Sequence, residues 1–433
     1  MTGNTPASGA TRVDALIIGA GPAGTTAATL LAQQGLTVWL VEREAFPRFR
    51  IGESLLPGGN AILKRLGIWE KMDDAGFLRK YGAEFVSSDG KSRVHNVFAD
   101  GLIKDLDYAY QVERSRFDKL LLDNAVAAGA VLQQPCRVVS ATERESENGQ
   151  DGWHVTLDDG TERIEIEADW LLDASGRTAF LGRRLKLTED EIPYPKRFAV
   201  YNHFHGVKRA PGPQGNNIIV TRLRDGWFWA IPLDDKKTSV GVVSTRKREQ
   251  WKDPDFTPEV FFDNEVQRGE FLRELLENAT PLDDFRVTAD YTYSFSHFGG
   301  PRHLLLGDAA CFIDPIFSSG VYIAMRSAEM AADAVLQARQ QERSLTARDT
   351  QRYTRQLKRN VRTMRRLIEV YYHQQGYAVF MSPTDRLQLF QAVNSIVAGN
   401  SKPGFAVSWR FRLFLLVCWL NRYFNMVPEQ RLQ

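Results

Sequence analysis

Cysteine is scarce in this chain of 433 residues: Cys136, Cys311 and Cys418 stand far apart and odd in number. No Cys-x-x-Cys pair or Cys/His cluster occurs, so neither a disulfide framework nor a zinc site is indicated. That usage fits a reducing cytoplasm, the expected location. Long apolar runs are missing too. Leu413 to Leu420 is the nearest, eight apolar residues between Arg412 and Asn421, short of the roughly 18 to 20 that a membrane span needs. Net charge is almost absent, with 55 Lys and Arg against 53 Asp and Glu, which excludes a nucleic-acid coat or an acidic tail. Met1 to Arg12 is small and polar, without the apolar core of a secretory signal. No internal repeat or low-complexity tract is found. What is there is 43% hydrophobic and 25% charged, a globular composition with too much apolar surface for disorder. The length suggests about two or three domain-sized units.

Val13 to Gly19 reads as a buried strand running into Gly19-Ala20-Gly21-Pro22-Ala23-Gly24. An apolar helix is predicted from Thr25 to Gln33, ended by Gly35, and a second strand from Leu36 to Val41 finishes on Glu42. Each glycine has a reason: Gly19 permits the tight turn, Gly21 lets backbone approach a pyrophosphate, and Gly24 lets helix pack on strand. The helix start then turns its positive end to the phosphates, and Glu42 stands where an acid accepts bonds from ribose hydroxyls. Strand, helix, strand and acid in register point to a dinucleotide site.

No second glycine fingerprint marks a separate nicotinamide domain. Asp173-Ala174-Ser175-Gly176-Arg177 follows a strand-like run from Ala168 to Leu172, and Leu304-Leu305-Leu306 runs into Gly307-Asp308. In these segments the chain resembles the FAD-dependent oxidoreductases of the aromatic hydroxylase superfamily. The resemblance implies that Asp308 binds the ribityl chain and that Arg114, in Val112-Glu113-Arg114-Ser115-Arg116-Phe117-Asp118, lies near the flavin. Arg114 and Asp118 also read simply as a helix-start ion pair. The cofactor set implied is Gly19, Gly21, Pro22, Ala23, Gly24, Glu42, Arg43, Arg50, Ser54, Arg114, Asp173, Gly176, Asp308, Pro315, Gly320 and Val321.

Three further segments narrow the class. Trp227-Phe228-Trp229-Ala230-Ile231-Pro232 carries WxWxIP, Phe312 to Gly320 carries FxxPxxSxG, and Lys80 lies in Lys80-Tyr81-Gly82-Ala83 downstream of Gly52-Glu53-Ser54. Together, from about Val13 to about Ala334, they resemble the flavin-dependent halogenases, especially those acting on phenols and pyrroles. Many members of that subgroup take substrates tethered to carrier proteins. The resemblance implies an enzyme that uses FAD as FADH2, with oxygen and chloride or bromide, to make hypohalous acid and halogenate an electron-rich aromatic ring. The reduced flavin would come from a separate NAD(P)H flavin reductase. Lys80 would be the catalytic lysine that binds or carries the oxidised halogen, and Glu53 would either assist as an acid or only tie the Gly52 turn. Ser318, Ser319 and Gly320 would bind halide through backbone N–H groups, although a proline turn and helix N-cap explain the same residues. Trp227 and Trp229 alternate on a strand and so share a face. With Phe312, they would line the route between flavin and substrate, or else be core tryptophans.

Between the flavin segments, Phe198 to Val207, Ile218 to Leu223, Trp227 to Pro232 and Thr238 to Thr245 read as strands of an antiparallel sheet. Trp153 to Leu157 and Arg163 to Leu172 frame the hairpin signal Asp158-Asp159-Gly160. Pro258 to Asn278 reads as one helix with Thr257 at its N-cap. Gln351 to Val370 reads as a two-faced helix. Arg352, Arg355, Arg359, Arg362 and Arg366, joined by Lys358 and Arg365, oppose the apolar Tyr353, Leu357, Val361, Met364 and Ile368. The basic face is either merely solvated or a docking surface for an acidic carrier protein. Trp409 to Phe424 is read as a helix that closes the substrate cleft or seeks a surface.

The expected architecture is α/β. A Rossmann-like FAD-binding domain of the aromatic hydroxylase type (12–80, 105–185 and 285–340) would be interleaved with an antiparallel substrate sheet (81–104 and 186–284). A C-terminal helical cover (341–433) would complete it. Two alternatives stand beside the halogenase: an FAD-dependent aromatic monooxygenase, and a catalytically silent flavoprotein that binds or senses.

Overall fold

The computed structural model describes residues 10–144, 151–192, 195, 197–245, 257–289, 292–430 and 432. The polar N-terminal segment therefore falls, over residues 1–9, outside the described residues.

Continuous apolar stretches make strands that are buried on both faces, and they build the first sheet. Thr11–Ile18 is its centre, flanked in parallel by Val38–Val41 on one side and Arg163–Asp173 on the other. Val131–Gln133 and His303–Leu305 extend the parallel order outward. The Asp158-Asp159-Gly160 hairpin joins Gly152–Asp158 to Arg163–Asp173 antiparallel, as its turn chemistry predicts. The chain leaves the central strand through the glycine turn into the helix Pro22–Ala32, every residue of which is buried. That helix starts three residues earlier than the apolar run suggested, because Pro22 occupies the first helical position, where a missing N–H does no harm.

The second sheet has the order Thr280–Pro281, Phe198–His205, Thr238–Ser244, Gly226–Pro232, Ile218–Arg222, Gly82–Ser87, Arg93–Val97. All neighbours are antiparallel except Ile218–Arg222 with Gly82–Ser87. Arg286–Ala289 also pairs with Phe198–His205, so this sheet takes in residues just beyond 284. Its two faces divide the core by the alternation of strands. Tyr201, Trp227, Trp229 and Val243 pack toward the C-terminal helices, whereas Phe198, Val200, Phe228 and Val242 pack on Phe261, Phe262 and Leu272.

The helical regions follow their caps. The Thr257 side chain accepts from the Val260 N–H at 3.2 Å, as predicted, but the single helix expected from Pro258 to Asn278 is two. Pro258–Gln267 and Glu270–Leu276 are separated by Gly269, whose extended backbone interrupts the ladder. The basic helix runs from Ala347 to Tyr372, four residues earlier than the predicted start at Gln351, because Thr346 and Asp349 form a capping box. Its predicted apolar face is buried throughout. The C-terminal helix, Phe405–Phe424, buries Val407, Phe411, Phe414 and Cys418 and exposes Leu416, Trp419, Tyr423 and Phe424. Among the described residues no helix is long and apolar enough to cross a membrane.

Candidate active site

The glycine turn has the shape a dinucleotide requires. Gly19 sits at φ +97°, a left-handed conformation that glycine adopts freely, and a Cβ there would lie 2.5 Å from the Ala174 carbonyl oxygen. A Cβ on Gly24 would lie 1.8 Å from the Gly19 oxygen. Gly21 meets only the tip of Arg48, at 3.7 Å, so its backbone faces open ground. The first helical bond runs from the Thr25 N–H to the Gly21 oxygen at 3.0 Å, which leaves the N–H groups of Ala23 and Gly24 at the helix start. Glu42 holds this turn: its Oε2 accepts from the Ala20 N–H at 2.9 Å, and Arg48 lies 3.6 Å away. The cradle and its cation fit an anionic dinucleotide such as FAD.

Arg114 opens the helix Arg114–Ala127 and pairs with Asp118 in two bonds of 2.7 and 2.9 Å, while donating to the Ile51 oxygen at 2.6 Å. The ion-pair reading therefore holds, and Arg114 lies against the Gly52 turn. The pair is buried rather than exposed, and Arg48 shares Asp118 at 2.9 Å. Asp173 is fully buried, and its two oxygens accept from the N–H groups of Ser175 and Leu181 at 2.9 and 2.7 Å. It shapes the turn in which Gly176 stands at φ +64°. Arg43 and Arg50 both pair with Glu44 at the edge of the site. Asp308 is half-buried in the turn Gly307–Ala309, and burial pushes its carboxyl up to about 6 against the pull of Arg114 and Arg177.

Asp308 belongs to a cleft that it lines with Phe312, Ser319 and Gly320, closed from the other side by Met364 and Ile368 of the basic helix. Pro315 begins a turn in which the Ser318 N–H donates to the Pro315 oxygen at 2.9 Å. Ser318 is left-handed at φ +55° and Ser319 right-handed at φ −82°, the alternation that aims successive N–H groups to one side as an anion nest. The helix Gly320–Gln340 begins directly after this turn. Ser319 is the N-cap, as the plain reading expected, although its side chain makes no capping hydrogen bond. The first helical bond is from the Ile323 N–H to the Ser319 oxygen, which leaves Gly320, Val321 and Tyr322 N–H groups ahead of it.

Lys80 lies on the short strand Leu78–Lys80 and is 1% exposed. Its Nζ donates to Ser54 Oγ at 2.8 Å and to the Leu55 oxygen at 3.1 Å, and stands 5.2 Å from the centre of the Phe98 ring. No carboxylate pairs with it among the described residues. Burial alone lowers its ammonium to about 7. With two bonds made, Nζ keeps one free position, a third N–H when charged or a lone pair when neutral. Ser54, expected at the cofactor, is thus the lysine's partner. Arg79 next to it makes the surface pair with Asp73.

Glu53 points the other way from Ser54. It is buried, and its Oε1 lies 2.7 Å from His203 Nε2 while Oε2 has no partner. The 52–54 segment thereby gathers the site: a Cβ on Gly52 would meet Arg114 at 3.0 Å and Val321 at 3.8 Å, Glu53 reaches His203, and Ser54 holds Lys80.

Trp227 and Trp229 share a face, as predicted, with ring centres 5.8 Å apart. Trp227 Nε1 donates to the Tyr372 hydroxyl at 2.8 Å, which donates to Asp314 at 3.1 Å, and Arg197 pairs with the same carboxylate at 2.9 Å. Trp227 is therefore tied into a buried polar chain that ends beside Pro315. Trp229 packs on Tyr201, which stacks on Phe49 over His203.

Sequence reasoning missed Arg48, His203 and the Arg197–Asp314 pair. His203 carried a weak signal: on the strand Phe198–His205 it is in step with Ala199 and Tyr201 and so shares their face. The other partners become neighbours only through the fold.

Residues 14–101 and 87–415 match the tryptophan halogenase family model. A 1H-pyrrole-2-carbonyl-[peptidyl-carrier protein] chlorinase of Pseudomonas fluorescens is 34% identical over 347 residues, 75% of this chain and 76% of that protein. Among solved structures, a flavoprotein/dehydrogenase of Cytophaga hutchinsonii superposes with a TM-score of 0.83 at 29% identity over 95% of this chain and all of that one. A flavin-dependent brominase superposes at 0.80 with 26% identity, over 93% of this chain and 98% of its own.

Proposed function

The chain belongs to the tryptophan halogenase family of flavin-dependent halogenases, and from that membership we propose that it halogenates an electron-rich aromatic ring, a pyrrole or phenol, carried as an acyl thioester on a carrier protein. Bound FAD, reduced by a separate flavin reductase, supplies with oxygen the oxidising equivalent that converts chloride or bromide to hypohalous acid. The chain's own residues do the rest. The Ala23 and Gly24 N–H groups with Arg48 hold the pyrophosphate, Arg114 fixes the Gly52 turn, and the half-buried Asp308 meets the ribityl chain. The Ser318–Ser319–Gly320 nest binds halide, since a desolvated anion needs N–H donors fixed in advance. Lys80 then receives the oxidised halogen through its one free position and keeps it from diffusing away. Glu53, oriented by His203, accepts the proton that the ring loses through its unpartnered Oε2.

The observation that carries this reading is Lys80: a buried cation with no anion is costly, and such a group is retained where chemistry needs it. The chlorinase relative's carrier-bound pyrrole supports the tethered substrate. The test is turnover of purified protein with a flavin reductase, NADH, FAD, oxygen and bromide on pyrrole-2-carbonyl and hydroxybenzoyl groups, free and carrier-bound, read by mass spectrometry. A brominated ring is expected. Hydroxylated product formed without halide, and no halogenated product, would contradict it and favour the monooxygenase.

A further inference from the structure

The outer face of the helix Ala347–Tyr372 is left over by that chemistry. Arg352, Arg355, Arg359, Arg362 and Arg366 recur every three or four residues and are all exposed. None has a carboxylate partner among the described residues, although exposed arginines elsewhere find one: Arg65 pairs with Asp333, Arg79 with Asp73, Arg12 with Asp169. Lys358 and Arg365, on the flanks of the row, pair with Asp190 and Glu369. Like charges one helical turn apart repel, and among the described residues no carboxylate neutralises the row.

The positive field continues off the helix. Thr363 donates to the Ser401 oxygen at 3.2 Å, which brings the 401–405 segment against the row. Burial and then the neighbouring Arg326 and Arg359 lower the Lys402 ammonium, while Glu329, the acid at that edge, already pairs with Arg65 and Arg326. Phe405, three residues on, is 85% exposed. The inner face of the same helix closes the cleft through Met364 and Ile368, so the row lies about one helix diameter, roughly 10 Å, from the halide nest.

We propose that this arginine row, with Lys402 and Phe405 at its edge, is the docking surface for the acidic carrier domain that presents the thioester-bound ring. The inference rests on the tethered-substrate reading above and adds where the carrier lands. Uncompensated charge on a rim steers encounter and makes it salt-dependent, and an exposed aromatic beside it gives the partner an apolar contact.

The experiment compares wild type with the triple variant Arg355→Glu, Arg359→Glu, Arg362→Glu on one aromatic acid, presented as the carrier thioester and as a short soluble thioester. The expected result is a fall of about tenfold or more in kcat/KM on the carrier substrate, expressed in KM, with the short thioester unchanged. Raising salt should lower wild-type kcat/KM on the carrier and leave the variant's flat. The triple Gln variant, which removes charge without reversing it, should show the same split more weakly and guards against misfolding of the first. Equal kcat/KM of wild type and both variants on the carrier substrate overturns the docking surface while the tethered reading stands. A wild type that halogenates the short thioester and never the carrier-bound ring overturns both.

Discussion

Lys80 and the exposed arginine row of the long helix are cations without carboxylate partners among the described residues, placed in opposite solvents. Around Lys80 there is protein: a serine hydroxyl, a backbone carbonyl and a phenyl ring are its neighbours, and burial moves its ammonium down to about 7. Arg355, Arg359 and Arg362 are exposed to solvent. Desolvation makes the first a chemical device, because the free energy of its charge is strongly altered and its protonation responds near neutral pH. Hydration makes the second an electrostatic device, cheap to maintain, long in reach and screened by salt. A third case sits between them. Arg197 is buried like Lys80 but paired with Asp314, and that pairing supports the loop of Pro315 through the bond from the Ile316 N–H to the same carboxylate at 3.0 Å.

Substitutions should separate the three. Lys80→Met removes the buried cation at nearly constant volume and should lower halogenation by about 10³-fold, while the folded protein becomes no less stable at pH 7 by thermal unfolding. Arg197→Met should do the reverse, costing about 3–5 kcal/mol in denaturant unfolding because it strands a buried carboxylate. Glu53→Gln, which keeps a contact to His203 and removes the proposed base, should lower kcat by about 10- to 100-fold with little change in KM. Arg352→Gln, at the far end of the exposed row, should change stability by less than about 0.5 kcal/mol.

The pH response of Lys80 has a definite sign. Its folded value, about 7, lies below its ordinary 10.5. Between those values the unfolded chain holds a proton that the folded chain has released, so stability should rise with pH across that window. Below pH 7 both states are charged and the contribution is flat. Lys80→Met should lack this rise, measured by urea unfolding at pH 7 and pH 9. If the charged form donates to the hypohalous oxygen, wild-type halogenation should fall as pH rises through about 7.

The parts of this molecule legible in the sequence are those fixed over short range. The glycine turn is legible because the sterics of Gly19 and Gly24 against backbone leave no other residue there. The arginine row and the apolar stripe of the long helix are legible because 3.6-residue periodicity is local. Lys80 stood out by resemblance alone; nothing in its neighbours announced that it would be buried without an anion. The Glu53–His203 bond joins residues 150 apart, through the register of an antiparallel sheet that no local pattern specifies. The expected helix across Gly269 failed for the opposite reason, since one locally extended residue overrode a good amphipathic pattern. Asp173 and Ser54 carried motif positions, yet their side chains serve the scaffold and the lysine.

Lys80 is proposed to transfer the halogen rather than merely to fill the core. The most direct measurement is the ratio of halogenated product to hydrogen peroxide released by Lys80→Met, supplied with flavin reductase, NADH, FAD, oxygen and bromide. Wild-type FAD binding, undiminished peroxide and almost no halogenated ring are expected. Halogenated product at the wild-type rate, from a variant that still binds FAD, would contradict it.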